Sequence, residues 1–252
     1  MTHDFPDQRL SIYPALPPPV QIRLVELTPH VCSYFPDRIA RMRAFLAGTL
    51  DPNVYHGFLD SSFRRSGSMV YQPICPGCRA CQQMRIPVAR FEPSKSQRRS
   101  MKRNSDLHLS IDRPKLTAEK FDLYARYVRD WHEGKEVPSE ETLREFLYDS
   151  PVETVEIEYR TNDARLVGVS ICDLSDTSLS SVYFYFDPLE SPRSLGTYSI
   201  LREIAFAREM KIPYVYLGYT IYGCAKMEYK MNFRPFEILG TDGLWRSPEP
   251  RT

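Results

Sequence analysis

Six cysteines fall in a chain of 252 residues, and three of them, Cys75, Cys78 and Cys81, recur at intervals of three. That spacing is too tight for ordinary core thiols. With Cys32 they supply four sulfur ligands, the number that suits structural zinc or an iron–sulfur cluster; otherwise they are reduced thiols packed in a small N-terminal domain. Cys172 and Cys224 read as core or motif cysteines. A second group is basic: Lys95, Arg98, Arg99, Lys102 and Arg103 follow one another with almost nothing apolar between them. In a chain whose formal net charge is only +1, such a run is either a solvated face or a phosphate-binding strip. Arg193, Ser194 and Gly196 stand just before a helical pattern. There, unpaired backbone N–H groups can hold an anion, or a plain turn starts the helix. The five histidines, His3, His30, His56, His108 and His132, are scattered, and no spacing suggests a Ser-His-Asp triad.

The elements that must position these groups read most clearly in the C-terminal half. Val155, Ile157 and Tyr159 alternate with Glu156, Glu158 and Arg160, as a half-buried strand does. Arg165 to Cys172 is the next strand. Ser180 to Phe186 is a continuous aromatic and β-branched run, predicted as a central strand that Asp187-Pro188 ends. A helix from about Gly196 to Met210 turns Tyr198, Leu201, Ile204 and Ala205 inward, and Tyr214 to Tyr219 is a further strand. Upstream, Glu119 to Trp131 and Glu140 to Leu147 predict two helices. Asp37 to Leu46 predicts a short helix with Ile39, Met42, Phe45 and Leu46 along one side. Phe63 to Tyr71 passes through a Ser-Gly turn into a strand, and Met84 to Val88 is another short strand. Pro14, Pro17, Pro18 and Pro19 make residues 1 to about 30 an extended leader. The change of character at Pro93–Arg103 sets a domain junction near residue 100, so that 1–100 is an N-terminal domain with the cysteine cluster and 101–252 a second domain. The N-terminus does not read as a secretory signal, no apolar run is long enough to span a bilayer, and the expectation is a soluble protein of the reducing cytoplasm.

Meander strands, a long central strand, a polar loop, an amphipathic helix and a strand, in that order, give an α+β class with an N-acetyltransferase-like (GNAT-like) C-terminal domain. More specific are the residues themselves. Ser180-Ser181-Val182-Tyr183-Phe184-Tyr185-Phe186-Asp187-Pro188, Ser194-Leu195-Gly196-Thr197, Tyr216-Leu217-Gly218-Tyr219 and Cys224-Ala225-Lys226-Met227-x-Tyr229-Lys230 with Phe233-Arg234-Pro235 behind it resemble the arginyl/leucyl-tRNA–protein transferase family. The N-terminal half agrees in Cys32-Ser33-Tyr34, Phe63-Arg64-Arg65-Ser66-Gly67, Tyr71-Gln72-Pro73-x-Cys75-x-x-Cys78-Arg79-x-Cys81 and Ser94-x-Ser96-Gln97-Arg98-Arg99. The resemblance runs collinearly from about Cys32 to Leu239 and is strongest to the short bacterial branch. It implies transfer of leucine from Leu-tRNA to the N-terminal Asp or Glu of acceptor proteins, which marks them for degradation by the N-end rule pathway. Arginyl transfer from Arg-tRNA to the same acceptors, or coenzyme A-dependent N-acetylation, are the alternatives. Related eukaryotic enzymes carry a cysteine constellation in the same region, to which a cluster has been attributed. This sequence departs from it, with Phe35 at the second position of the CxxC expected around Cys32.

The reaction so implied is aminolysis of an ester. An α-amine has a pKa of about 8, so deprotonation asks little of the enzyme and positioning supplies much of the rate. No cofactor is required for that chemistry. Tyr185 and Asp187 are then candidates to position or deprotonate the amine, or else a packed tyrosine and a turn residue before proline. Tyr219 orients the ester or the acceptor, or packs in the core. Lys226 and Lys230 bind the terminal phosphates of tRNA or polarise the carbonyl. Lys95, Arg98, Arg99, Lys102, Arg103 and Arg193 complete the expected tRNA contacts. An Arg fork suits the acceptor carboxylate, and Arg38, Arg64, Arg65 and Arg85 are the expected readers.

Overall fold

The computed structural model describes residues 22–132 and 136–248; most of the expected leader, including its four prolines, lies outside them. Two sheets organise the chain. A four-stranded antiparallel sheet in the order β1-β4-β6-β5 is built from β1 (Val25–Glu26), β4 (Met42–Leu46), β5 (Arg64–Ser66) and β6 (Met69–Pro73), with a small β2 (His30–Val31) and β3 (Ile39–Ala40) pair beside it. Helix α1 (Pro52–Asp60) follows β4 and starts where the Asp51 carboxylate accepts from the N–H groups of Asn53 and Val54.

The second sheet has eight strands in the order β14-β13-β7-β12-β11-β10-β9-β8. These are β7 (Gln82–Pro87), β8 (His108–Asp112), β9 (Thr154–Arg160), β10 (Leu166–Leu174), β11 (Ser178–Phe186), β12 (Tyr214–Thr220), β13 (Glu237–Leu239) and β14 (Trp245–Arg246). Helix α2 (Lys95–Arg103) leads from β7 to β8, and α3 (Ala118–Trp131) and α4 (Glu140–Leu143), the latter running into a π-type turn at Arg144–Tyr148, lead on to β9. Helix α5 (Leu195–Glu209) is the crossover between the parallel strands β11 and β12, and α6 (Ala225–Glu228) follows β12. The meander β9-β10-β11, crossover helix and parallel strand are the GNAT-like order that the sequence pattern predicts.

Three helices cover the large sheet. Leu123, Tyr124, Tyr127 and Val128 of α3 pack on Ile157, Val169 and Tyr185. Ile200, Leu201, Ile204 and Ala207 of α5 pack on Met84, Ile86, Val215 and Leu217. Tyr55 and Leu59 of α1 close over Tyr216. Each such fully buried side chain contributes about 1.5–3 kcal/mol. A buried charged network ties the two sheets together: Arg65 on β5 forks onto Asp173 of β10 at 2.6 and 2.7 Å, and Tyr55 Oη and Thr154 Oγ1 donate to the same carboxylate.

The segment 37–46 corrects the sequence expectation. It forms β3 and β4 rather than a helix, and β4 pairs with β6 from Met42↔Pro73 to Leu46↔Met69. The apolar stripe that suggested a helix is not buried as one, since Ile39 and Leu46 are exposed. The buried positions are Ala40 and Ala44, with Met42 half-buried between them. That is an alternation of small residues whose period is two.

Candidate active site

β11 and β12 lie side by side only from Ser178↔Tyr214 to Ser180↔Tyr216. Beyond that point they part, and the backbone carbonyls facing the gap must find partners other than each other. Two cations supply them. Arg64, brought in by β5, donates to Ser180 Oγ at 2.7 Å and to the Ser181 carbonyl at 2.6 Å. Lys230 donates from Nζ to the carbonyls of Leu217 at 2.8 Å and Tyr219 at 3.0 Å. Burial first, and then the charge of Arg64, lower the Lys230 amine to about 7. Gly218 sits between them at φ +72°, where a Cβ would stand 3.1 Å from the Arg64 guanidinium. Glycine is required there both for the left-handed backbone and for the close approach.

The walls of this opening are also polar. The phenol of Tyr219 donates to the Ser62 carbonyl at 2.8 Å, and burial holds its pKa well above the ordinary value. Beneath the strands, the Glu203 carboxyl of α5 is fully buried and faces Ser170, Ser181 and Cys172, with neither oxygen in a hydrogen bond of good geometry. Burial raises it to about 7.

The structure sorts the residues expected from sequence into several places. Tyr219, Lys230 and Arg64 meet at the opening. Tyr185 and Asp187 stand at the far end of β11. The Tyr185 hydroxyl shares a hydrogen bond with Tyr148 at 2.7 Å, and Asp187 accepts from Arg165 at 3.0 Å, caps the Leu189 N–H and lies 3.7 Å from Arg126. Lys226 is exposed on α6. Among the arginines, Arg65 is committed to Asp173. Arg85 is held by Glu237 at 2.9 Å and Tyr216 Oη at 3.2 Å, and it lies against the rings of Tyr214 and Trp245. Arg38 is exposed, lies over Phe35 and reaches Cys78 Sγ at 3.5 Å.

Beside the end of β12 is a cavity of about 460 Å³. Its borders include Asp60, Ser62, Gln72, Arg79, Gln83 and the cysteine loop. Gln83, on β7 opposite Tyr219, is fully buried, with both amide atoms unpartnered. The thiols are near neighbours: burial, and then Cys32, Cys75, Cys78 and Cys224, push Cys81 up to about 12. The Ala80 N–H and Arg38 lower Cys78. Among the described residues no three His, Cys, Asp or Glu side chains, those of Cys32, Cys75, Cys78 and Cys81 included, are grouped as metal ligands. Sequence reading missed Asp60 and Gln83, which carry no motif, and Cys224, whose approach to the other thiols only the fold creates.

The basic run is helix α2. Ser94 and Gln97 form a reciprocal capping box at its start. Gln97, Ser100 and Asn104 face inward, while Lys95, Arg98, Arg99, Lys102 and Arg103 are all exposed. The helix end is fastened beside the start of α5: Asn104 Nδ2 donates to the Arg193 carbonyl at 2.9 Å, and Arg103 donates to the Pro192 carbonyl. Arg193 itself pairs with Asp106 at 2.8 Å and Glu190 at 2.7 Å. The cationic face of α2 thus adjoins the N-terminus of α5, while the side chain of Arg193 is engaged by carboxylates.

Comparison with known proteins agrees over both halves. The profile of arginine-tRNA-protein transferase, N terminus, matches residues 30–99, and that of its C terminus matches residues 119–240. The chain is 41% identical over 217 residues to an aspartate/glutamate leucyltransferase of Hahella chejuensis, covering 84% of this chain and 92% of that one. It is equally 41% identical over 224 residues to a protein of the same name from Pseudomonas fluorescens, covering 87% and 94%. Among solved structures, a C-terminal domain named for lysylphosphatidylglycerol synthetase, from Agrobacterium fabrum, superposes with a TM-score of 0.50 at 12% identity over 79% of this chain and 69% of that one, a likeness of fold alone.

Proposed function

Since the chain belongs to the arginine-tRNA–protein transferase family, we infer that it moves leucine from an aminoacyl-tRNA to the N-terminal Asp or Glu of acceptor proteins. The observation that carries this is the 41% identity, over nearly the whole of both chains, to relatives named for aspartate/glutamate leucyl transfer. The neutral α-amine attacks the ester carbonyl, a C–N bond forms, the C–O bond to the ribose breaks, and the amine's proton ends on the departing ribose oxygen. An uncharged product amide and a restored hydroxyl balance the step.

Two features favour tRNA over coenzyme A as the acyl carrier. The gap between β11 and β12 is occupied by Arg64 and Lys230, and Arg193 at the start of α5 is already ion-paired. Neither leaves the open, basic loop that a pyrophosphate needs. The exposed cations of α2 instead offer a longer strip suited to successive backbone phosphates. In this reading Lys226, exposed just beyond β12, takes a terminal phosphate or polarises the ester carbonyl. Tyr219 and Lys230 hold the strand end against which the ester lies. Tyr185 and Asp187 support the far end of β11 and act on the amine only through that strand. No helix of the described residues is long and apolar enough to cross a membrane, and the reading puts the reaction in the cytoplasm, where charged tRNA is made. The cysteines require no metal for this chemistry.

Incubating the protein with labelled Leu-tRNA or Arg-tRNA and peptides beginning with Asp, Glu, Lys or Arg tests the assignment. Leucine is expected on the Asp and Glu peptides alone. Transfer from neither tRNA would defeat the assignment, and transfer from acetyl-CoA without tRNA would replace it.

A further inference from the structure

We propose that the cavity beside the cysteine loop is the acceptor pocket, in which Asp60 takes the α-ammonium and Arg79 reads the side-chain carboxylate. This rests on the functional reading above and adds to it the residues that choose the substrate. An N-terminal Asp or Glu carries two opposite charges within a few ångströms of each other, so its pocket needs an anion and a cation. The cavity of about 460 Å³ is bordered by both and falls in the usual size range for a bound small group.

Asp60 is set in place rather than mobile. Its Oδ1 accepts from Tyr216 Oη and, at 3.0 Å, from Trp245 Nε1, with Arg85 at 3.6 Å, while Oδ2 has His56 Nε2 at 3.5 Å. A carboxylate whose one oxygen is fully committed presents the other in a fixed direction. Arg79 is the complementary case. It is exposed, one nitrogen is tied to the carbonyls of Cys75 and Cys78 at 3.4 and 3.0 Å, and among the described residues no carboxylate pairs with it. The two carbonyl bonds aim the guanidinium while leaving the rest of its fork for a bidentate partner. Of the arginines expected to read the acceptor, Arg64, Arg65 and Arg85 are buried and spent on other groups.

Gln83 supplies the third observation. A fully buried amide with neither atom bonded is rare in a folded protein. Bordering this cavity, it can donate to and accept from the first peptide group of the acceptor. The cavity also meets the reaction site: Ser62, on its border, accepts from Tyr219, and Gln83 stands opposite Tyr219 in the sheet register. An ammonium held at Asp60 therefore lies beside the opened end of β12, where it gives one proton to solvent and becomes the neutral amine that attacks the ester.

The test measures leucyl transfer by the full chain to peptides identical except for a first residue of Asp, Asn, Glu, Gln or Ala. Arg79→Ala is expected to lower kcat/KM for the Asp and Glu peptides about 10- to 100-fold, to leave the Asn and Gln peptides unchanged, and so to collapse the Asp/Asn ratio. Arg79→Lys restores part of that ratio. Asp60→Asn is expected to lower all five peptides by a similar factor. An Asp/Asn ratio in Arg79→Ala equal to that of the unaltered chain would overturn the proposal, whatever happens to total activity. If the unaltered chain transfers leucine to none of the peptides, the functional reading fails. The pocket is then judged by fluorescence anisotropy of labelled Asp and Asn peptides, where preference for Asp that Arg79→Ala abolishes supports it and equal binding by both proteins overturns it.

Discussion

Replacing Glu203 with Gln makes the protein more stable at neutral pH than at acid pH, relative to the unaltered chain. Glu203 lies between α5 and the sheet, fully buried, and neither carboxyl oxygen has a well-formed hydrogen bond. Burial lifts its pKa from 4.5 to about 7. Below pH 4.5 the carboxyl is protonated whether the chain is folded or not, and it makes no difference to stability. As pH rises toward 7 the unfolded chain gives up this proton while the folded chain keeps it, so the unfolded state gains. Above 7 the folded chain carries the buried charge and the loss is complete. Moving a carboxyl pKa from 4.5 to about 7 corresponds to about 3 kcal/mol. Glutamine has the same shape, does not titrate and carries no such loss. Urea unfolding of both proteins at constant ionic strength, from about pH 4.5 to 8, gives the difference directly, because every other titrating group cancels. The stability advantage of Glu203→Gln is expected to grow by about 3 kcal/mol across that range, most of it between 4.5 and 7. An advantage that stays constant with pH, or shrinks as pH rises, would refute the reasoning.

Asp173→Ala leaves the fully buried Arg65 guanidinium without its carboxylate, and a loss of about 3–5 kcal/mol is expected, read as a lower urea midpoint. The double replacement Arg65→Met with Asp173→Leu should recover part of it, the remainder being the unpaired hydroxyl of buried Tyr55. Reversing Arg98, Arg99 and Lys102 to Glu on the exposed face of α2 should weaken tRNA binding and flatten its dependence on salt, by a log–log slope of about 0.7–0.9 for each phosphate that the helix no longer neutralises. Thermal unfolding of that variant should fall only slightly, because the inward face of the helix is untouched while the Arg98 bond to the Pro93 carbonyl and the favourable charge of Lys102 in the last turn are lost.

The C-terminal strands and α5 were legible because their residues follow one period each: alternation in β9, a continuous apolar run in β11, and a 3.6-residue stripe in α5. Segment 37–46 was not, because its apolar large residues fit a helical stripe while the residues it buries are alanines. Alanine weighs little in either pattern. Helix α2 escaped for the opposite reason. Its inward face is Gln97, Ser100 and Asn104, so there is no hydrophobic period to detect, and the Ser94-x-x-Gln97 capping signal that marks its start went unread. At the site, Tyr219, Lys230 and Arg64 were reached through motif resemblance, since nothing in local spacing reveals that a lysine will be buried against two carbonyls. Which arginine is free was not legible at all. Arg65 and Arg79 look alike in sequence; one meets Asp173 across 108 residues of chain, and the other, among the described residues, donates to the carbonyls of its own loop.

These long-range partners explain why the proposed acceptor cavity cannot be divided from the opening between β11 and β12. Its borders come from the end of α1, from the cysteine loop with β7, and from the turn after β13. Strand β7 lies between β12 and β13 in the same sheet as the opening, so the segments before and after residue 100 complete one another's hydrogen bonding. Arg64 and Arg65, adjacent on one short strand, reach the β11–β12 gap and Asp173 respectively. Removing the N-terminal segment would uncover the carbonyl of Ser181, unpair Asp173 and delete a central strand of the large sheet at once. The exposed cations of α2, by contrast, are fastened through the far side of their helix, the start of α5 and the Pro93 carbonyl that Arg98 donates to. In the proposed reading, acceptor selection and bond formation share one folded unit, while the carrier meets the exposed face of α2, whose charge can change with little effect on that unit.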